Sequence, residues 1–308
     1  MKKLLLATTF LAGSAGLAAA EVALSGSAEM GIWSNELGDI AFWQEVEVKF
    51  TMSGTTDGGL EFGAVVDLDE AELTRGDGSD DDGTTVYVKG AFGNLTMGDT
   101  DGALDWAVQD AGSLTSIADD HTTHIAYFNA NAYDPGPGDG QIVRYDNTFG
   151  AIGFAISAEQ GDDGIGAVDD IIGVGVKYTA DLGGTALNLG LGYQDAGNNG
   201  SVIGVSAGAE LAGGFSGMIG YLAYDNDAAL RDTHLGVGLT YTTGALSVHA
   251  NYGDLEDTAG VSVDSFGVAV NYDLGGGAAV QFGYGSDVDI DGVAGSGEQW
   301  SLGLGMSF

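Results

Sequence analysis

From Leu246 to Phe308 the chain alternates apolar residues with small or polar ones almost without error, and the alternation stops on its final residue. Leu246, Val248, Ala250 and Tyr252 share one parity; Ser247, His249 and Asn251 share the other. After an acidic stretch come Phe266, Val268, Val270 and Tyr272, then the turn Asp273-Leu274-Gly275-Gly276. Ala278, Val280, Phe282 and Tyr284 follow, and finally Trp300, Leu302, Leu304, Met306 and Phe308. A strict period of two means extended strands with one apolar face. A soluble sandwich would carry charge on the other face. Here that face is Ser, Thr, Asn, Gln, His and above all Gly, and an aromatic residue often closes the apolar series. That is the pattern of strands that close into a transmembrane β-barrel.

The first twenty residues read as a secretory signal: Lys2 and Lys3, an apolar and small-residue stretch from Leu4 to Leu17, and Ala18-Ala19-Ala20 before Glu21. No later stretch approaches the ~18 consecutive apolar residues of a spanning helix. A membrane destination must therefore be reached with strands, and these must close to satisfy their backbone groups. There is no cysteine, so neither a disulfide nor thiol chemistry is available. The 55 glycines show no Gly-X-Y period, which excludes collagen, and the 2 prolines suit long strands. A water-filled lumen tolerates glycine on its inner face. Inward Gly238 and Gly303 are therefore expected to accept substitutions that outward Val237 and Leu304 would not.

All 45 acidic residues follow the signal, against six basic ones (Lys49, Arg75, Lys89, Arg144, Lys177 and Arg231), a charge of −39 for the processed chain. Nucleic acid is excluded as a partner, because phosphate binding requires basic patches. Acidic runs are ordinarily solvated loops; distributed around a channel, the same charge favours cations.

Sixteen strands can be marked, beginning near Val22, Ala41, Leu60, Thr84, Leu95, Gln141, Ala151, Ile171, Thr185, Ser201, Phe215, Arg231, Ala245, Ser262, Gly277 and Glu298. Short turns carrying Gly and Asp, such as Asp181-Leu182-Gly183-Gly184, alternate with longer acidic connections. The latter are Glu70 to Gly83, Gly161 to Asp170, Asp254 to Gly260 and Ser286 to Gly297. Tyr178, Tyr241 and Tyr272 close the apolar face before short turns, and Tyr193, Tyr252 and Tyr284 before longer ones, as two interfacial girdles require. The exception is the stretch from Thr100 to Gly140, which holds both prolines (Pro135, Pro137) together with His121 and His124. A connection well beyond ~15 residues is usually functional; in a wide barrel it can fold inward and narrow the lumen.

Asp77-Gly78-Ser79-Asp80-Asp81-Asp82-Gly83 offers hard oxygen ligands to calcium, through Asp77, Asp80, Asp81 and Asp82, but lacks EF-hand spacing and a closing glutamate. His121 and His124 beside Asp119 and Asp120 have a spacing that could chelate a transition metal, although polar loop residues are the plainer reading. His234 and His249 fall on inward parity as lumen lining. Gly173-x-Gly175 and Gly190-x-Gly192 are fragments of a phosphate loop without the helix it needs. No nucleophile–base arrangement stands out, and no enzyme is expected.

Several segments resemble trimeric porins of the alphaproteobacterial, Rhodobacter type. They are Phe50 to Ala64, Gly90 to Asp99, Arg144-Tyr145-Asp146 before Phe149, Tyr272 to Ala278, and the terminal Phe308. The resemblance implies a sixteen-stranded antiparallel barrel, three per assembly, with the third long loop folded into the lumen. That family tends to line the wall opposite the loop with arginines, whereas the inward parity of the second strand here reads Glu45, Glu47, Lys49, Thr51. The candidate constriction therefore comprises Glu45, Glu47, Lys49 and Arg144 from the wall and Asp105, Asp110, Asp119 and Asp120 from the loop. Lys49 and Arg144 are the only basic residues expected there. The functional expectation is an outer-membrane diffusion channel for small hydrophilic solutes, cation-preferring and homotrimeric, requiring no cofactor. The alternatives are a channel selective for one substrate and a non-transporting structural or adhesive barrel.

Overall fold

The computed structural model describes residues 21–34, 40–69, 83–112, 114–120, 124–131, 142–159, 170–290 and 293–308. Sixteen strands form one closed antiparallel barrel. In chain order they are β1 (Glu21–Ser34), β2 (Ile40–Thr55), β3 (Glu61–Asp69), β4 (Thr84–Gly90), β5 (Gly93–Gly98), β6 (Ile142–Phe149), β7 (Ile152–Glu159) and β8 (Ile171–Asp181). There follow β9 (Ala186–Asp195), β10 (Ser201–Glu210), β11 (Phe215–Asp225), β12 (Arg231–Thr243), β13 (Leu246–Asp257), β14 (Ser262–Gly275), β15 (Ala278–Ile290) and β16 (Val293–Ser307). Two short helices, α1 (Ala103–Ala107) and α2 (Ile117–Asp120), lie between β5 and β6. No helix among the described residues is long and apolar enough to cross a membrane; the strands cross it.

Each strand pairs with its chain neighbours, and β1 closes the ring on β16 with Met30 opposite Leu304 and Gly31 opposite Gly303. Phe308 completes that seam: its N–H donates to the Gly26 carbonyl at 2.8 Å, and its own carbonyl accepts from the Gly26 N–H at 3.4 Å. Closure matters because an open edge in lipid leaves backbone groups without partners at several kcal/mol each.

Parity sets the two faces as the alternation requires. Outward Ile203, Leu191 and Leu302 are exposed, whereas inward Ser301, next to Leu302, is fully buried. The burial of a soluble protein is thus inverted, and apolar side chains meet the outside. At one rim the hairpins are tight. The Asp181 carboxylate accepts from the Gly183 and Gly184 N–H groups at 2.9 Å each, and both glycines take a positive φ that a side chain would strain.

At the other rim two connections are shorter than the sequence reading put them. Asp254 to Asp257 belongs to β13, and only a tight turn follows, with the Asp257 carboxylate accepting from the Ala259 and Val261 N–H groups. Likewise β15 runs to Ile290 and β16 begins at Val293 rather than Glu298. Pairing there continues beyond the alternating runs, so alternation no longer marks the strand. The connections over 70–82 and 160–169 lie outside the described residues, and with them the calcium-like Asp77, Asp80, Asp81 and Asp82.

Candidate functional site

The segment after β5 turns into the lumen and lies along the inner wall. Its outgoing limb carries α1, which packs on β7, β8 and β9; α2 then touches β15, β16, β1 and β2. What lets backbone lie against backbone is glycine. A Cβ on Gly175 would collide with the Ala103 carbonyl, on Gly190 with the Ala107 carbonyl, and on Gly238 with the Ala111 carbonyl. On the returning limb, Phe128 is fully buried against Gly220 and Gly236. The inward glycines are a floor for the loop and do not face open water. Gly238, under Ala111, and Gly303, under the Ile117 side chain, therefore cannot accept substitution as the parity argument expected.

Wall side chains fasten the loop through its backbone. Ser157 accepts from the Ala103 N–H at 2.8 Å and Ser206 from the Gln109 N–H at 2.9 Å. Asn271 donates to the Thr115 carbonyl at 2.9 Å, Ser301 donates to the Ile117 carbonyl at 3.0 Å, and Glu29 accepts from the Ala118 N–H at 2.8 Å. The two limbs join where the Ala111 N–H donates to the Phe128 carbonyl at 3.0 Å. Between loop and wall, Leu104, Val108, Ala111, Phe128, Val202 and Leu222 form a small apolar core inside the barrel.

The strands β2 to β6 present a different surface. Lys49 lies 2.5 Å from Asp67 on β3 and 3.4 Å from Glu47 on its own strand, and Ser27 donates to Glu47 at 2.7 Å. Lys89 on β4 pairs with Glu61 at 3.3 Å. Glu45 stands opposite Glu29 across the β1–β2 pair. Trp33 and Trp43, both on inward parity, pack edge to face with centroids 5.5 Å apart.

Of the expected constriction residues, Glu45, Glu47 and Lys49 line this charged wall. Arg144 is not open to the pore: it is 9% exposed, donates to the Asp101 carbonyl at 2.6 Å and pairs with Asp146 at 3.4 Å. It clamps the root of the loop. Asp105 sits in the first turn of α1. Asp110 faces the lumen and accepts from the Ala130 N–H at 3.1 Å. Enclosure by the barrel raises its carboxyl above the ordinary value, the Ala130 hydrogen bond opposes this, and Asp101 adds to it. Asp119 and Asp120 lie in α2, their side chains outside the described residues; His121 is outside them altogether.

His124 is buried, with Nδ1 2.5 Å from Ser265 Oγ and Nε2 2.7 Å from Asn251 Oδ1. It ties the returning limb to the wall. Among the described residues no group of three or more His, Asp or Glu could hold a metal.

Two groups escaped the sequence reading. Lys177 lies 3.6 Å over the Trp106 ring, in the electrostatic neighbourhood of Asp146, Arg144 and Asp101, so the basic residues here are not only Lys49 and Arg144. Its inward parity, after Gly173 and Gly175, already pointed to it. The second is the row of fastening serines, which in sequence look like any small polar lining.

The model of the Gram-negative porin family matches residues 7–291. A porin from Rhodobacter capsulatus is 30% identical over 290 residues, 84% of this chain and 92% of its own. A porin structure refined at 1.8 Å resolution is 26% identical and covers 94% of this chain and 100% of its own, with a TM-score of 0.71. A mutant of the Rh. blastica porin reaches the same TM-score of 0.71 at 16% identity, over 93% of this chain and 100% of its own, a likeness of fold alone. This chain's all-β ring of sixteen strands is matched in fold by these porin structures, and the chain belongs to the Gram-negative porin family, a non-enzymatic channel of the outer membrane.

Proposed function

We propose that this porin is a passive diffusion channel for small hydrophilic solutes that prefers cations to anions. The observation that carries the reading is the pairing on the β2–β6 wall. Lys49, Lys89 and Arg144 each sit against a carboxylate, Asp67, Glu61 and Asp146 respectively. The inward wall adds Glu45 and Glu47, and the loop adds Asp105 and Asp110, so negative charge prevails around the opening. A negative potential enriches cations, and its reach falls from ~10 Å at 0.1 M salt to ~3 Å at 1 M. In planar bilayers under a potassium chloride gradient, the zero-current potential should report potassium preference in dilute salt, fading as salt rises. Glu45→Gln with Glu47→Gln should weaken it. Anion preference in dilute salt would overturn the reading.

A second reading, selectivity for one solute, draws support from the Trp33–Trp43 pair on inward parity. Saturable block of conductance by one sugar or amino acid would favour it.

Two further parts belong to the same proposal. The chain assembles as a homotrimer, since β4 and β5 have only 7 and 6 residues, short of the ~9–11 a tilted strand needs to span alone. Neighbouring copies would cover that low wall, and chemical cross-linking in detergent tests it. Residues 1–20 are an export signal, supported by Lys2 and Lys3, the apolar stretch from Leu4 to Leu17 and Ala18-Ala19-Ala20; the mass of the mature protein tests it.

A further inference from the structure

The two limbs of the loop are fastened by different chemistry. Ser157 and Ser206, which do not titrate, hold the outgoing limb. The returning limb is held by imidazoles. His124 lies between Ser265 and Asn251, Asn251 Nδ2 reaches His249 Nε2 at 3.4 Å, and His249 Nδ1 lies 2.8 Å from Thr240 Oγ1. His124, Asn251, Ser265 and His249 are each at most 5% exposed. The Ala126 N–H donates to Ser265 at 3.0 Å, and His234 Nε2 donates to the Ala126 carbonyl at 3.0 Å. Every bond in this chain is satisfied with neutral imidazoles: His249 donates to Thr240, Asn251 donates to His249, His124 donates to Asn251, and Ser265 donates to His124.

We propose that this chain is a latch opened by acid: it accepts one added proton but not two, so acidification frees residues 124–130 from the wall. Asn251 is the reason. Its single amide oxygen lies between two histidines. With one imidazole protonated, the amide can rotate to offer Oδ1 to that ring and Nδ2 to the neutral one, which switches tautomer. With both protonated, two N–H donors converge on one acceptor, and one of them must face the amide N–H₂. A buried donor facing another donor is lost unless it reaches water.

The surrounding charges do not relieve the second proton. Burial holds His124 below the ordinary imidazole value; the Asn251 hydrogen bond opposes this, neighbouring His234 adds to it, and Asp287 opposes it. Arg231 and Asp254 in turn face His234, and the Tyr127 ring packs edge-on against His124 at 5.8 Å. Asp287 can balance one charge, not two. The released limb binds protons more readily than the latched one. The latch is thus fully held above the free imidazole value, ~6.5, and weakens as pH falls below it, by up to about tenfold per pH unit for each proton. Phe128 lies on the same limb, so release uncovers it and lets the limb move into the opening.

Single-channel recording at pH 7.5 and pH 4.5 in 1 M potassium chloride, where surface potentials are screened, tests this. The wild-type channel should be steady at pH 7.5 and show brief partial closures at pH 4.5. The closed fraction should rise at least about tenfold, with a slope of at least one proton below pH ~6.5. In the His124→Gln/His249→Gln variant, whose amides bond without titrating, the closed fraction should not change with pH. An acid response that persists in the variant assigns it to other groups, carboxylates or His234, and overturns the latch, as does a wild-type channel indifferent to pH. Should the variant not assemble, histidine resonances of the wild-type protein in micelles decide. His124 must titrate below the free value, with the Phe128 ring signals moving at the same pH; a His124 titration with Phe128 unmoved overturns the proposal.

Discussion

Between β7 and β16 the inner wall is mostly glycine, serine, asparagine and histidine, with Lys177, Val202 and Leu222 among them, and the loop lies on it. Between β2 and β6 the wall carries Glu47, Lys49, Asp67, Lys89 and Arg144. Both are inward faces of the same barrel, reached by the same period of two, yet they answer different demands. Under the loop, a residue must leave room for another backbone and offer it one hydrogen bond. Facing the opening, it must hold charge in water. Inward parity therefore says where a side chain points, and size says what it meets there.

The comparison breaks most completely if the ring fails to close, since neither wall then exists. Deleting Trp300–Phe308 removes most of the seam with β1 and should abolish heat-resistant, membrane-inserted protein on gels; normal assembly would defeat the closure argument. Next in size is charge in the lipid. Leu304→Arg, on the outward face, should cost ~2–4 kcal/mol near the bilayer midplane in denaturant unfolding.

On the floor, Gly190→Val drives a side chain into the Ala107 carbonyl and should cost ~1–3 kcal/mol, while altering conductance as the loop shifts. Thr51→Val, inward on β2, should stay within ~0.5 kcal/mol. Similar losses at both positions would erase the distinction between the walls. Smaller again is Ser157→Ala, which leaves the Ala103 N–H without its wall acceptor and should cost ~1 kcal/mol and make the open current noisier. Smallest in stability is Glu47→Gln. Its ion pair with half-exposed Lys49 is worth at most ~1 kcal/mol, so only the potassium-to-chloride ratio should move.

Strand number, parity and the tight turns could all be read before any coordinates, because lipid on one side imposes a hydrophobic rhythm that water on both sides cannot. Where that imposition ends, so did the reading. Asp254–Asp257 and Val293–Gly297 are paired strand beyond the alternating runs, and nothing in their sequence announces it. The glycine floor left a visible signal in the repeats at Gly173/Gly175, Gly190/Gly192 and Gly236/Gly238, but glycine beside water and glycine beside a backbone look alike until the occupant is placed. Arg144 was expected at the opening, and the sequence could not say that the Asp101 carbonyl would draw it to the loop root. His124 looked like a solvated loop residue because its partners, Asn251 and Ser265, lie more than a hundred residues away.

One consequence follows from the atoms that the wall serines hold. Ser157, Ser206, Ser265 and Ser301 bind the loop at Ala103 N, Gln109 N, Ala126 N and Ile117 O, all of them backbone atoms. Apart from the His124 and Asp110 side chains, which fasten the returning limb, the calibre of the opening is thus set by the wall and by the course of the main chain, whereas its charge is set by side chains that those contacts leave alone. Bore and ionic character can then vary separately. Loop positions whose side chains fasten nothing can be exchanged for neutral or basic residues at constant diameter, giving a family of channels with one aperture and graded ion preference.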